Sequence, residues 1–161
     1  MTIGVISDTH IPERADSIPG GVLKAFRGVD LIIHAGDLTS FSVVEDLGRI
    51  AEVRAVQGNM DPAQIASVLP AKRIVKAEEV SIGVIHGGGH PDNIVDFVSR
   101  QFGKDVDVIV FGHSHRPFNE RKNGVLFFNP GSPTDKIFAP YNGCGILQVK
   151  GNTCEGKIIK L

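Results

Sequence analysis

The segment Phe111-Gly112-His113-Ser114-His115 places two imidazoles one residue apart, directly after an apolar run. Histidine is a common transition-metal ligand, and a His-x-His pair on one tight loop can reach a single site. Alone, such a pair is a weak signal. Four further turns carry residues of ligand type: Asp8-Thr9-His10, Gly36-Asp37, Gly58-Asn59 and His86-Gly87. Of the six histidines, His10, His86, His113 and His115 fall at these turns, a distribution unlike that of scattered core or surface histidines. The mixture of carboxylate, amide and imidazole argues against a soft thiolate site. It suits Mn, Fe, Co, Ni or Zn better than Ca.

The ligands can meet only if the elements before them are aligned. Residues 2–7, 31–33, 52–56, 80–85 and 106–111 are short, apolar and largely β-branched, which predicts five strands, each ending in one of these turns. In α/β folds the loops beyond the carboxyl ends of parallel strands lie together, and ligands bind there. Helices are predicted over 20–27, 40–51 and 91–102. Ser40 or Ser42 is a candidate cap for the second, and Pro91 and Gly103 bracket the third. Residues 71–77 read as a further strand. Asn123-Gly124 between 118–121 and 125–128 signals a hairpin. Strands at 145–149 and 157–161 close the chain. The order is β-α-β-α-β first and meander-like β later, which favours α/β layers with helices outside packed sheets.

Length and composition set bounds. A chain of 161 residues with 42% hydrophobic and 22% charged residues is expected to form one domain, 1–161, with a real core. Lys and Arg number 17 against 18 Asp and Glu, so no global field recruits nucleic acid or an anionic membrane, and any attraction for anions must be local. The two cysteines, Cys144 and Cys154, lack a close Cys-x-x-Cys spacing and read as ordinary buried residues. No leader pattern and no membrane-length apolar run is seen, and a cytoplasmic location is the expectation.

Asp-x-His, Gly-Asp, Gly-Asn, His-Gly and Gly-His-x-His, in this order, resemble the calcineurin-like metallophosphoesterases. The short length and the Asn129-Pro130-Gly131-Ser132 loop are similar to the small YfcE-type phosphodiesterase branch. The resemblance spans Asp8 to Ser132. It implies a four-layer αββα sandwich of two mixed β-sheets flanked by helices. It also implies two divalent metal ions, Mn first and Ni, Fe, Co or Zn as alternatives. One would be held by Asp8, His10, Asp37 and His115, the other by Asp37, Asn59, His86 and His113, with Asp37 as the bridge.

Two divalent ions against two carboxylates leave an excess of roughly two positive charges, so such a centre favours an anionic substrate in a nearly neutral protein. Ions about 3.5–4 Å apart can activate a shared water and clamp a phosphoryl group for in-line attack. Phosphate-ester hydrolysis by a bridging hydroxide is the implied reaction, with a small phosphodiester or nucleotide-like substrate. A homo-oligomer is left open. One departure matters: many larger relatives carry histidine directly after the Gly-Asn pair, whereas this chain has Met60, which cannot donate a proton. Asn59 and Asp61 are the catalytic candidates on this turn. Asp61 either protonates the leaving oxygen or orients a histidine from behind.

Other residues near these turns have plainer readings. His34 is expected to be packed and hydrogen-bonded beside the site, and His90 to be a solvated loop residue. Gly87 to Gly89 either approach a phosphate or serve a positive φ. Asn129 to Pro133 is expected to shape a turn beside the site. The rival class is a binding scaffold, because the chain is also similar to the metallophosphoesterase-like subunit of the retromer coat. A scaffold of that kind typically departs from the ligand pattern, which this chain retains.

Overall fold

The computed structural model describes residues 1–103 and 105–161. In chain order the first half comprises β1 (Thr2–Ile6), α1 (Gly20–Ala25), β2 (Leu31–His34), α2 (Ser42–Gly48), β3 (Glu52–Ala55) and α3 (Ala63–Ala66). The second half comprises β4 (Lys72–Ala77), β5 (Val80–Ile85), a 3-10 turn (Pro91–Asn93) leading into α4 (Ile94–Ser99), β6 (Val108–Val110), β7 (Phe118–Lys122), β8 (Val125–Asn129), β9 (Gly143–Lys150) and β10 (Thr153–Lys160). The strands form two five-stranded sheets, ordered β10-β9-β1-β2-β3 and β4-β5-β6-β8-β7. In the first, β1, β2 and β3 run parallel, β9 is antiparallel to β1, and β10 is antiparallel to β9. In the second, β5, β6 and β8 run parallel, with β4 and β7 antiparallel at the edges.

The period-2 alternation of the strands sorts three cores. Ile3, Val5, Leu31, Ile33, Ile82, Val84, Val108, Val110 and Phe128 face inward between the sheets. The alternate residues of the first sheet, Ile6 and Ile32 among them, join Val22, Phe26, Val43, Leu47 and Ile65 under α1, α2 and α3. Those of the second, Ile85, Ile109 and Phe127, join Ile94, Val98 and Phe102 under α4. Because both faces of each central strand are covered, the strands read as continuous apolar runs. The result is the four-layer αββα sandwich expected from the sequence. Cys144 lies in the outer core and Cys154 in the inner one, and both thiols are free.

The helices are shorter than their periodicity predicts. Their last turns tighten to i→i+3 bonds, Ile50 N–H to Leu47 O at 2.9 Å and Gln101 N–H to Val98 O at 3.1 Å, which satisfy the final carbonyls outside the α-helix proper. Neither Ser40 nor Ser42 stands at the N-cap of α2, where Phe41 does; Ser40 Oγ accepts the Ser42 N–H at 3.2 Å instead. One turn, α3, has no periodic signature and was not expected. β9 and β10 pair over their whole length, Gly143 with Lys160 to Lys150 with Thr153, and so extend beyond the expected 145–149 and 157–161. A Cβ on Gly145 or Gly156 would lie 2.5 or 2.6 Å from the Phe128 ring, so these glycines admit an aromatic from the opposite sheet.

Candidate metal centre

All seven candidate ligands leave the carboxyl ends of parallel strands: Asp8 and His10 after β1, Asp37 after β2, Asn59 after β3, His86 after β5, and His113 and His115 after β6. The two sheets therefore deliver one side each. Backbone bonds fuse the loops, Asp8 N–H to Gly36 O at 3.0 Å, His10 N–H to Asp37 O at 3.1 Å and Gly112 N–H to His86 O at 2.9 Å.

Local backbone geometry explains the motif spelling. Asp8 (φ 54), His10 (φ 43), Asp37 (φ 56), His113 (φ 65) and His115 (φ 55) all adopt the left-handed region. For non-glycine residues this costs on the order of 1 kcal/mol each, and such strain clusters at functional sites. Gly58 and Gly112, which precede Asn59 and His113, answer to a different constraint, close approach. A Cβ on Gly58 would collide with Asp37 Oδ1, and one on Gly112 with Ser7 Oγ and, at 2.6 Å, Asp8 Oδ2.

The donor atoms of Asp8, His10 and His115 lie within 4.8 Å of one another, as do those of Asp8, Asp37 and His86. Asp37 Oδ2 also reaches across, 3.6 Å from His10 Nε2 and 3.2 Å from His86 Nε2. His86 Nδ1–H donates to Ala35 O at 2.8 Å, which directs Nε2 at the carboxylates. His113 Nε2–H donates to Gly89 O at 3.0 Å, leaving Nδ1 facing Asn59 Oδ1 at 3.0 Å. The His86 and His113 rings meet edge to face with centroids 5.4 Å apart, which brings Asn59 and His113 to the second cluster. Nε2 of His10 and Nε2 of His86 are buried without a hydrogen-bond partner, close to carboxylates but not aligned to bond them. Buried polar atoms left unpaired are costly. Their convergence with two carboxylates fits transition-metal ligation.

The electrostatics agree. Burial would raise the Asp8 carboxyl, but the hydrogen bond with His115 and the charge of His86 hold it at about 2. Burial also opposes charge on His86, yet Asp37 and Asp8 outweigh it and raise the imidazole to about 9. His115 is raised in the same way by Asp8 and Asp135 against its burial. Two buried carboxylates demand positive charge. Divalent cations held by the neutral imidazoles would meet that demand. Burial pushes His34 down to about 3, so its ring stays neutral. Its Nδ1 accepts Gly36 N–H at 3.2 Å and its Nε2 pairs with Thr9 Oγ1 at 3.1 Å, the packed role expected of it. His90 is a solvated residue whose Nδ1 accepts Asp92 N–H at 3.3 Å.

Asp61 aims both oxygens at backbone: it accepts from Asp37 N–H at 3.1 Å, Thr39 N–H at 2.7 Å and Gly58 N–H at 2.7 Å. It therefore ties the Asp37 loop to the Gly58-Asn59 loop, and its hydrogen bonds go to backbone rather than to a histidine. The Asn129-to-Ser132 loop braces the centre from behind. Asn129 Nδ2 donates to Gly112 O at 2.8 Å, and Ser132 Oγ donates to Asp8 O at 2.7 Å.

The residue that sequence reasoning missed is Asp135. Its wholly buried carboxylate accepts from His115 Nδ1–H, from Arg14 Nη1–H at 2.7 Å, and from the backbone N–H of Ile137, Phe138 and Ala139. An isolated aspartate in a turn-rich loop lies outside every ligand motif; only its nearness to Ser132-Pro133 hinted at it. The centre opens into a cleft of about 470 Å³ whose walls include Arg14, Met60, Arg116 and Phe138.

Residues 1–152 match the calcineurin-like phosphoesterase superfamily domain, and the chain belongs to that superfamily. A probable metallophosphoesterase of Methanothermobacter thermautotrophicus is 40% identical over 163 residues, covering 99% of this chain and 92% of its own. A phosphodiesterase of Methanocaldococcus jannaschii is 27% identical over 148 residues, covering 81% and 83%. The structure of Vacuolar Protein Sorting 29 from Cryptosporidium parvum is similar, with a TM-score of 0.84 and 26% identity over 99% of this chain and 91% of that one. No helix among the described residues is long and apolar enough to cross a membrane.

Proposed function

We propose that this protein is a dinuclear metal-dependent phosphodiesterase acting on a small phosphodiester. The observation that carries the reading is the convergence of Asp8, His10, Asp37, His86 and His115, two of them with orphaned buried nitrogens, where His10, Asp37 and His115 line an open cleft. Asp8, His10, Asp37 and His115 would hold one ion and Asp37, Asn59, His86 and His113 the other, with manganese the first candidate. Divalent ions in such a site supply Lewis acidity, an activated water and a clamp on the phosphoryl oxygens.

The chain's own residues do the rest. His86 and His113 are locked by carbonyl acceptors with one ring nitrogen free, and His115 is locked by Asp135, so each lone pair is set before an ion arrives. Asp61 fixes the distance between the Asp37 and Asn59 loops from behind, a positioning role. Met60 is 60% exposed in the cleft wall and offers no proton. The leaving oxygen therefore departs without a general acid from this position, which favours diesters and activated esters over alkyl monoesters. Comparing kcat/KM for bis(4-nitrophenyl) phosphate and an alkyl monophosphate tests this: the diester should win, and parity or reversal counts against it.

Metal-stripped protein titrated with Mn²⁺ against bis(4-nitrophenyl) phosphate, beside Asp37→Ala, tests the assignment itself. Turnover should return with metal and vanish in the variant. A protein-binding scaffold is the second reading, favoured by the similarity to Vacuolar Protein Sorting 29. A folded protein with no turnover in Mn²⁺, Ni²⁺, Co²⁺ or Zn²⁺ would select it.

A further inference from the structure

Phe138 is out of place by the standards of this chain. Phe26, Phe111 and Phe128 are fully buried, whereas Phe138 is 65% exposed and lines the cleft over the candidate metal centre. It is nevertheless held firmly. The carboxylate of Asp135 accepts the backbone N–H groups of Ile137 at 2.9 Å, Phe138 at 3.2 Å and Ala139 at 3.2 Å. Arg14, pinned by the same carboxylate at 2.7 Å, sets its guanidinium 5.9 Å from the ring centroid. The ring centroid is 6.4 Å from that of His115. One aspartate thus fixes a metal-ligand candidate, a cation and an exposed aromatic ring at once.

From this arrangement we propose that Phe138 is a stacking platform that selects substrates carrying a planar aromatic group, a nucleobase or an aryl ester, beside the scissile phosphate. The proposal rests on the phosphoesterase reading of the site and adds its specificity. A rigid ring loses little side-chain freedom when a flat group stacks on it, and the guanidinium against the ring adds a cation–π contribution. Met60 lies in the same cleft as a polarizable wall. The cleft volume, about 470 Å³, falls in the usual small-molecule range of roughly 300–1,000 Å³. An apolar protein segment could also cover Phe138 with its neighbour Ile137, but the ring's place inside the cleft favours substrate.

The test uses two matched pairs of anions on Mn²⁺-loaded protein, with binding measured by calorimetry. Phenylphosphonate against methylphosphonate probes an aryl group at the phosphorus. Thymidine 5′-monophosphate against ribose 5-phosphate probes a base one sugar away. At least one pair should show about tenfold tighter binding of the aromatic member, the effect of one stacked ring, and the pair that does so identifies the source. Phe138→Leu should reduce that ratio below about twofold and Phe138→Trp should keep it; both side chains suit an exposed position and should fold. No aromatic preference in either pair, no binding of any of the four, or a preference unchanged in Phe138→Leu would overturn the proposal. Turnover of bis(4-nitrophenyl) phosphate by the same preparation separates the two readings. Turnover without aromatic preference sinks the platform alone, and preference without turnover sinks the enzyme assignment alone.

Discussion

Replacing Asp135 by Asn removes one charge from a wholly buried site while keeping its shape. In the native protein Oδ2 accepts from His115 Nδ1–H and Ala139 N–H, and Oδ1 accepts from Arg14 Nη1–H and Ile137 N–H. An amide has one oxygen to offer, so its NH₂ must face donors on one side. If it faces His115, the imidazole has to carry its proton on Nε2, the nitrogen that looks at Asp8 Oδ1 from 3.2 Å and would bind metal. If it faces Arg14, a buried cation contact turns into donor against donor. Groups that orient a metal ligand typically contribute about 10–100-fold in affinity or activity, or about 1.4–2.7 kcal/mol. Asp135→Asn should therefore weaken Mn²⁺ binding by that factor in calorimetric titration. Arg14→Met, which spares the His115 tautomer, should weaken it less. Manganese affinity at the wild-type level in Asp135→Asn, or a larger loss in Arg14→Met, would refute the reasoning.

Asp61→Ala strips the acceptor from three backbone N–H groups, two of them at 2.7 Å, and should cost about 3 kcal/mol in urea unfolding as well as metal binding; loss of activity with unchanged stability would argue for proton donation instead. Gly112→Ala drives a methyl into Ser7 and Asp8, so metal binding should fail while circular dichroism stays native; normal affinity would show that the loop can yield. Burial raises Cys144 from 9.0 to about 12 and Cys154 from 9.0 to about 11. These are acids whose folded pKa lies above the unfolded one, so their contribution is complete below pH 9 and is lost as pH rises through it. From pH 9 to 10 the two together should remove about 2 kcal/mol of stability, a slope that the double variant Cys144→Ala, Cys154→Ala should lack.

The strands, their turns and the ligand candidates were legible in the sequence because each depends on local information. A β-branched run reads as a buried strand, and Asp, His and Gly stand at its end whatever lies elsewhere. The resemblance implied the proposed partition of these candidates between two ions, which no single turn contains. Other features only the packed structure decided. Helix ends moved because their last carbonyls found i→i+3 partners. That Gly145 and Gly156 make room for the Phe128 ring is a contact between opposite sheets that neither strand contains. Asp61 stood beside the Gly-Asn pair and was open to several roles, and its three backbone donors come from residues 37, 39 and 58. Asp135 carried no motif, because its importance lies in being 20 residues from His115 along the chain and in contact with it in space. The sequence by itself determined which side chains could bind metal and which strands would carry them. The tertiary structure decided which groups stand behind them, because hydrogen bonds between loops depend on how two sheets pack, and that information is spread over the whole core.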